Sequence, residues 1–146
     1  MSGLAALLAG HTPPDVYLWH NAARVDDVAH AVEKADWRFG YVDGWMVEDR
    51  DTFGKALGAA LDLPDDGDGL PGVEAHLEEV TAQGHKGVVL LWEGWSPLAR
   101  ADEEAFTEAL RALGSRAHGG GGDQLAVLLR GEGPDLEVPE LPDGPH

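Results

Sequence analysis

Seven carboxylates stand close together in the middle of this chain: Asp62, Asp65, Asp66, Asp68, Glu74, Glu78 and Glu79. No Lys or Arg occurs between Lys55 and Lys86. Like charges gathered without a counter-charge repel one another, so the fold gains nothing from assembling them. The chemistry they offer is ion pairing with a strongly cationic partner. The candidate partner-binding residues are Asp65, Asp66, Asp68, Glu74 and Glu78, with Gly67 and Gly69 letting a backbone approach closely. The competing reading is a solvated acidic loop and helix face.

Other chemistries find less support. Asp66-Gly-Asp-Gly suggests calcium, but Leu70 and Pro71 follow directly and break the spacing that an EF-hand loop requires. The seven histidines, His11, His20, His30, His76, His85, His118 and His146, show no paired metal-ligand spacing. Ser2, Ser96 and Ser115 lack a G-x-S-x-G context. Gly119 to Gly122 precedes a strand rather than opening a helix, and no glycine-rich loop carries a phosphate-binding Lys. Paired carboxylates can hydrolyse glycosides, but a chain this small offers little room for a sugar cleft. No catalytic residues, no metal site and no cofactor are expected. A small acidic hydrolase is the enzyme alternative.

The chain has 146 residues, enough for one domain that buries roughly 68–70% of its unfolded surface. Ten Lys+Arg against 27 Asp+Glu give a formal charge of −17. Nucleic acid and anionic membranes would be repelled, because phosphate binding needs Lys/Arg footprints. A generally acidic proteome would produce the same balance. There is no cysteine, which excludes disulfides and thiol nucleophiles and is compatible with a reducing cytoplasm. The apolar start, residues 1–10, is too short to span a bilayer and has no preceding base. Ser2 as N-cap and Gly10 as stop predict a short amphipathic helix there. A cytoplasmic monomer is expected.

The elements that must position these residues follow from periodicity. Val16 to Trp19 is a short β-prone run after Pro13-Pro14, and Asn21 can cap a helix presenting Val25, Val28, Val32 and Ala35. Arg38 to Asp43 reads as a strand closing at Asp43-Gly44. Asp49 or Asp51 can cap a helix with Phe53, Ala56, Leu57, Ala60 and Leu61 inward. The acidic loop occupies about residues 64–70, and Pro71 opens a helix with Val73, Leu77 and Val80 on its apolar face, ended by Gly84. Val88 to Trp92 and Leu125 to Leu129 are apolar on both faces, as buried strands of a parallel sheet are. Between them Asp102, Glu103 and Glu104 open a helix with Phe106, Ala109, Leu110 and Leu113 inward. Trp92 and Trp95 should pack in the core, and Trp19, Trp37 and Trp45 should close the ends of the N-terminal unit.

This alternation predicts a three-layer α/β/α domain, residues 1–130, on a mainly parallel sheet of about four strands. Residues 131–146 carry five acids, four prolines and no base, and should form a disordered tail. Without those five acids the charge is still −12.

An ordered series of features resembles the barstar family, the intracellular inhibitors of extracellular ribonucleases. Phe39-Gly-Tyr-Val-Asp-Gly-Trp45 is similar to the family's opening strand and turn. Residues 51–64, from Asp51-Thr-Phe to Asp-Leu-Pro64, resemble its first helix. Gly67, Leu70, Val73 and Leu77 match the spacing of its loop and second helix, and Val88 to Trp95 resembles the strand ending in an aromatic. The likeness covers about residues 38–130, leaving residues 1–37 as an extra strand-helix unit. It implies a barstar-like fold and a basic ribonuclease or nuclease toxin as protein partner. The family's loop carries tyrosines and two aspartates, one of which mimics a phosphate in the nuclease active site. Here the loop is one residue shorter and lacks the tyrosines, and the two aspartate positions fall on Pro71 and Ala75. Glu74 and Glu78 lie beside the lost position on the same predicted helix. The alternative expectation is therefore a barstar-like interaction module that no longer inhibits a ribonuclease.

Overall fold

A computed structural model describes residues 2–9, 15–20, 24–60, 87–119, 124–131, 133 and 138–141. In chain order the elements are α1 (Ser2–Leu8), β1 (Val16–Leu18), α2 (Val25–Lys34), β2 (Arg38–Asp43), α3 (Arg50–Ala60), β3 (Gly87–Glu93), α4 (Ser96–Ala101), α5 (Glu103–Gly119) and β4 (Gln124–Arg130).

Val88, Leu90 and Trp92 alternate with Val89 and Leu91 along β3, and all five are buried. Leu125, Val127 and Leu129 alternate in the same way with Ala126 and Leu128 along β4. Successive strand side chains point to opposite faces, so apolar groups on both parities require cover on both sides. The sheet has the order β1-β4-β3-β2 and is parallel throughout. α1 and α2 cover one face with Leu4, Leu7, Val28 and Val32. α3, α4 and α5 cover the other with Phe53, Leu57, Leu98, Phe106, Ala109 and Leu113. The architecture is three-layer α/β/α.

The order of strands follows from this layering. From β1 the chain crosses the first face to the far edge at β2, then returns over the second face through β3 to β4 beside β1. Reversing both direction and face keeps one crossover hand. On the second face Trp92 lies 4.7 Å from Phe53 and 5.6 Å from Phe106, ring centre to ring centre, and Phe106 stacks on Trp95 at 5.5 Å. Burying each such ring stabilises by roughly 1.5–3 kcal/mol, so this aromatic set anchors β3 at the middle of the sheet.

Three local expectations change. Residues 96–101 form a helix, α4, that periodicity did not suggest; Pro97 sits in its first turn, where a missing N–H costs nothing. Asp102 ends it and caps α5 by accepting from the Ala105 N–H at 3.0 Å. The tail is ordered at its edge contact: the Leu18 N–H donates to Pro139 O at 2.9 Å, and the Leu141 N–H donates to Leu18 O at 2.8 Å. Leu141 is buried against Trp19 and its neighbours, so an apolar side chain and a free sheet edge outweigh the acidic, proline-rich composition there. Trp45, expected to close an end, is 53% exposed, whereas Trp19 and Trp37 are buried. The predicted cap Asn21, Leu61, the acidic loop and the helix from Pro71 lie outside the described residues.

Candidate functional site

The residues singled out as a binding surface, Asp65, Asp66, Gly67, Asp68, Gly69, Glu74 and Glu78, all fall between Ala60 and Gly87, outside the described residues. What the structure gives is their two points of attachment. α3 carries the chain from the carboxyl end of β2 to Ala60, and β3 starts again at Gly87 opposite Gln124. The acidic segment is therefore hung between the end of α3 and the amino end of β3.

The described polar cluster lies at the other end of the sheet. Glu93 and Arg130 are the last residues of β3 and β4 and are paired in register, with Asp43 of β2 on the other side of Glu93. Arg130 Nε donates to Glu93 Oε2 at 3.0 Å, and the Tyr41 hydroxyl donates to Glu93 Oε1 at 2.9 Å. The Arg130 guanidinium also stands 5.7 Å from the centre of the Trp19 ring, within range of a cation–π contact. Four residues from β1's end, β2, β3 and β4 are thus tied together where open parallel sheets commonly bind ligands.

The electrostatics show what this cluster can do. Burial pushes the Glu93 carboxyl up, but donation from Arg130 and Tyr41 outweighs it and holds the carboxyl below its usual value. Burial, then the hydrogen bond to Glu93, pushes the Tyr41 hydroxyl up to about 12. Near neutral pH the carboxylate is ionised with both oxygens engaged, and the phenol keeps its proton. Neither is poised as a general base or nucleophile. The cluster clamps the four strands together at this end of the sheet.

A second feature adjoins it. The Gly44 N–H donates to Glu93 O at 2.8 Å and the Val47 N–H to Gly44 O at 3.1 Å, closing a turn after β2. A Cβ at Gly44 would fall 2.4 Å from Trp92 Nε1, so only glycine lets the turn lie this close to β3. Gly94, at φ +73°, lies under the Trp45 ring, with Cδ2 2.6 Å from where a Cβ would stand. After the turn, Asp49 and Thr52 cap α3 reciprocally: the Thr52 N–H donates to Asp49 Oδ1 at 2.8 Å, and the Asp49 N–H donates to Thr52 Oγ1 at 3.1 Å. The Thr52 bonds hold the Asp49 carboxyl below its ordinary value.

Among the described residues no group of three or more His, Asp or Glu side chains is placed to hold a metal ion. No helix among them is long and apolar enough to cross a membrane. A shallow hollow of about 390 Å³ between α1 and α2 is lined by Leu4, Leu8, Ala31 and Ala35 with Lys34 at its edge, and has no convergent polar groups.

Sequence reasoning missed the Glu93–Arg130 pair, although a signal was present. Val-Val-Leu-Leu-Trp-Glu and Leu-Ala-Val-Leu-Leu-Arg each end an apolar run in a charge. Once two such strands are parallel neighbours in register, opposite charges meet.

No protein-family model and no curated protein matches the chain. Among solved structures it is similar to the ORC2 protein of Aeropyrum pernix. The ADPNP-ADP complexes of that protein align with a TM-score of 0.62 and 17% identity, over 90% of this chain and 39% of that one. The ADP form aligns with a TM-score of 0.61 and 15% identity over the same shares. This chain spans about two fifths of the length of those proteins. At such identity the likeness concerns the fold.

Proposed function

We propose that this protein is a non-enzymatic, cytoplasmic inhibitor or immunity protein for a basic secreted ribonuclease or nuclease toxin, acting as a monomer through the acidic segment between α3 and β3. The observation that carries this reading is the concentration of seven carboxylates with no Lys or Arg from residue 56 to 85, in a chain of charge −17. The order of elements after Arg38 supports it: strand, helix, acidic segment, strand, helical stretch, strand, as the barstar resemblance implies.

A nuclease that binds RNA presents cationic groups where phosphates sit. Asp65, Asp66, Asp68, Glu74 and Glu78 would occupy those positions, with Gly67 allowing close approach. Opposite fields raise association rates by about 10 to 10³-fold, and the gain falls steeply with salt. Carboxylates desolvated at the centre of such an interface matter far more than those on its rim.

Pro71 and Ala75, standing where the family carries aspartates, favour a second reading: an interaction module that keeps the fold and has lost inhibition. The solved neighbours are described as nucleotide complexes. That property is not proposed for this chain. G-x-x-x-x-G-K-[ST] does not occur in it, and the one Gly-Lys pair, Gly54-Lys55, lies inside α3 with Asp49 five residues before it.

A turnover assay on small basic ribonucleases tests the proposal. Stoichiometric inhibition by the full chain, lost in the Asp65→Asn, Asp66→Asn, Asp68→Asn triple variant, is the expected result. Absence of inhibition, with or without binding at low salt, would overturn it and favour the second reading.

A further inference from the structure

Trp45 and Met46 are 53% and 81% exposed, the large hydrophobic residues left in solvent among those described. They are not loose. Trp45 N–H donates to Asp43 Oδ1 at 3.3 Å, its ring lies against Gly94, and the flanking Gly44 and Val47 are both buried and bonded within the turn. An aromatic ring held from beneath and open above binds at small entropic cost, the usual character of an interface anchor.

The surroundings indicate what would cover it. Asp43, Glu48 and Asp49 are exposed in the same turn, Asp43 bonded to Trp45; no Lys or Arg occurs between Arg38 and Arg50, and Lys55 of α3 acts on Asp49 alone among them. A second copy of this chain would bring another −17 charge to the same surface, which disfavours self-association. A cation-bearing side chain fits on both counts: its charge stacks on the open face of Trp45, its stem lies along Met46, and the carboxylates stand beside it.

We infer that the Asp43–Asp49 turn is a docking surface for an Arg- or Lys-bearing segment of a partner protein, separate from the acidic segment after α3. The turn precedes α3 at the carboxyl end of the sheet, while the acidic segment leaves from the other end of that helix. The inference concerns the turn alone and does not rest on the proposed inhibitory function.

Fluorine NMR of the full chain labelled with 5-fluorotryptophan tests it, because Trp45 then reports on its own surroundings. The Trp45 resonance is assigned by its loss in Trp45→Phe, and the labelled protein is titrated with a hepta-arginine peptide, with hepta-glutamate as control. The Trp45 resonance should shift saturably with the basic peptide only. Asp43→Asn with Glu48→Gln, which keeps Trp45 and its backbone acceptor, should raise the midpoint by about tenfold, a size typical of interface anchors. Asp65→Asn with Asp66→Asn and Asp68→Asn, changes outside the turn, should leave it within about twofold. No shift at Trp45, or a midpoint that follows the second set and ignores the first, would overturn the inference. So would a shift produced by protein concentration alone, which would make the turn a contact between copies of this chain.

Discussion

Glu93 and Arg130 close the carboxyl ends of two neighbouring parallel strands, Oε2 to Nε at 3.0 Å. Their side chains are 27% and 12% exposed, so the pair sits between the surface and interior regimes. Breaking such a pair by removing one partner costs several kcal/mol in a fully buried setting and little in water. Glu93→Gln and Arg130→Met should each destabilise by roughly 1–2 kcal/mol. Together they should cost less than their sum, read by urea unfolding in a double-mutant cycle. Strict additivity would mean that the two residues do not act as a unit.

The same cluster fixes the response to acid. The Glu93 carboxyl is held below its usual value in the folded state, so the unfolded chain binds the extra proton. Its contribution is present above the unfolded carboxyl range and is lost as pH falls through the folded value. The stability difference between the parent chain and Glu93→Gln should therefore shrink below about pH 4. A difference that stays constant on acidification contradicts this assignment.

At high pH the sign reverses. Tyr41 is raised to about 12 and Tyr17 is raised as well, so folding favours the protonated phenols. That contribution is full below the unfolded value near 10 and is lost as pH rises from there towards 12. Absorbance at 295 nm should show the two tyrosines of the native chain ionising above those of the chain in urea. Tyr41→Phe should remove the higher of the two transitions.

Gly94 links the clamp to the exposed turn. Alanine there would take up φ near +73° and drive its Cβ into the Trp45 ring. Gly94→Ala should cost about 1–3 kcal/mol and displace the Trp45 resonance, with little effect on the buried Trp92.

At the opposite edge, Leu141 is buried and its segment pairs with β1. Leu141→Ala should lower stability by about 2 kcal/mol or more, read by urea unfolding. An unchanged unfolding midpoint would show that the tail contributes nothing at this edge.

Much of the fold was legible because it rests on strong periodic signals. Val88 to Trp92 and Leu125 to Leu129 are apolar on both parities, and only a doubly covered parallel sheet accommodates that. Phe53, Leu57, Phe106 and Leu113 fell at helical spacing and are buried as read. The tail at Leu141 was misread because composition averages over a segment, and one apolar residue beside an open edge decides its fate. Trp45 was misread because type alone suggests burial, whereas the turn set by Gly44 and Gly94 turns its ring to solvent. The clamp escaped notice because Tyr41, Glu93 and Arg130 are far apart in sequence, and only strand order and register bring them together.

Residues 62–79 are the proposed binding surface for a cationic protein. Calorimetric titration of the full chain with a panel of small basic ribonucleases, at low and at physiological salt, addresses it most directly. One-to-one binding that weakens steeply with salt, and weakens further on Asp66→Ala or Glu74→Ala, is the expected result. Heat-silent titrations against every member of the panel at low salt, or tight binding indifferent to both substitutions, would contradict it.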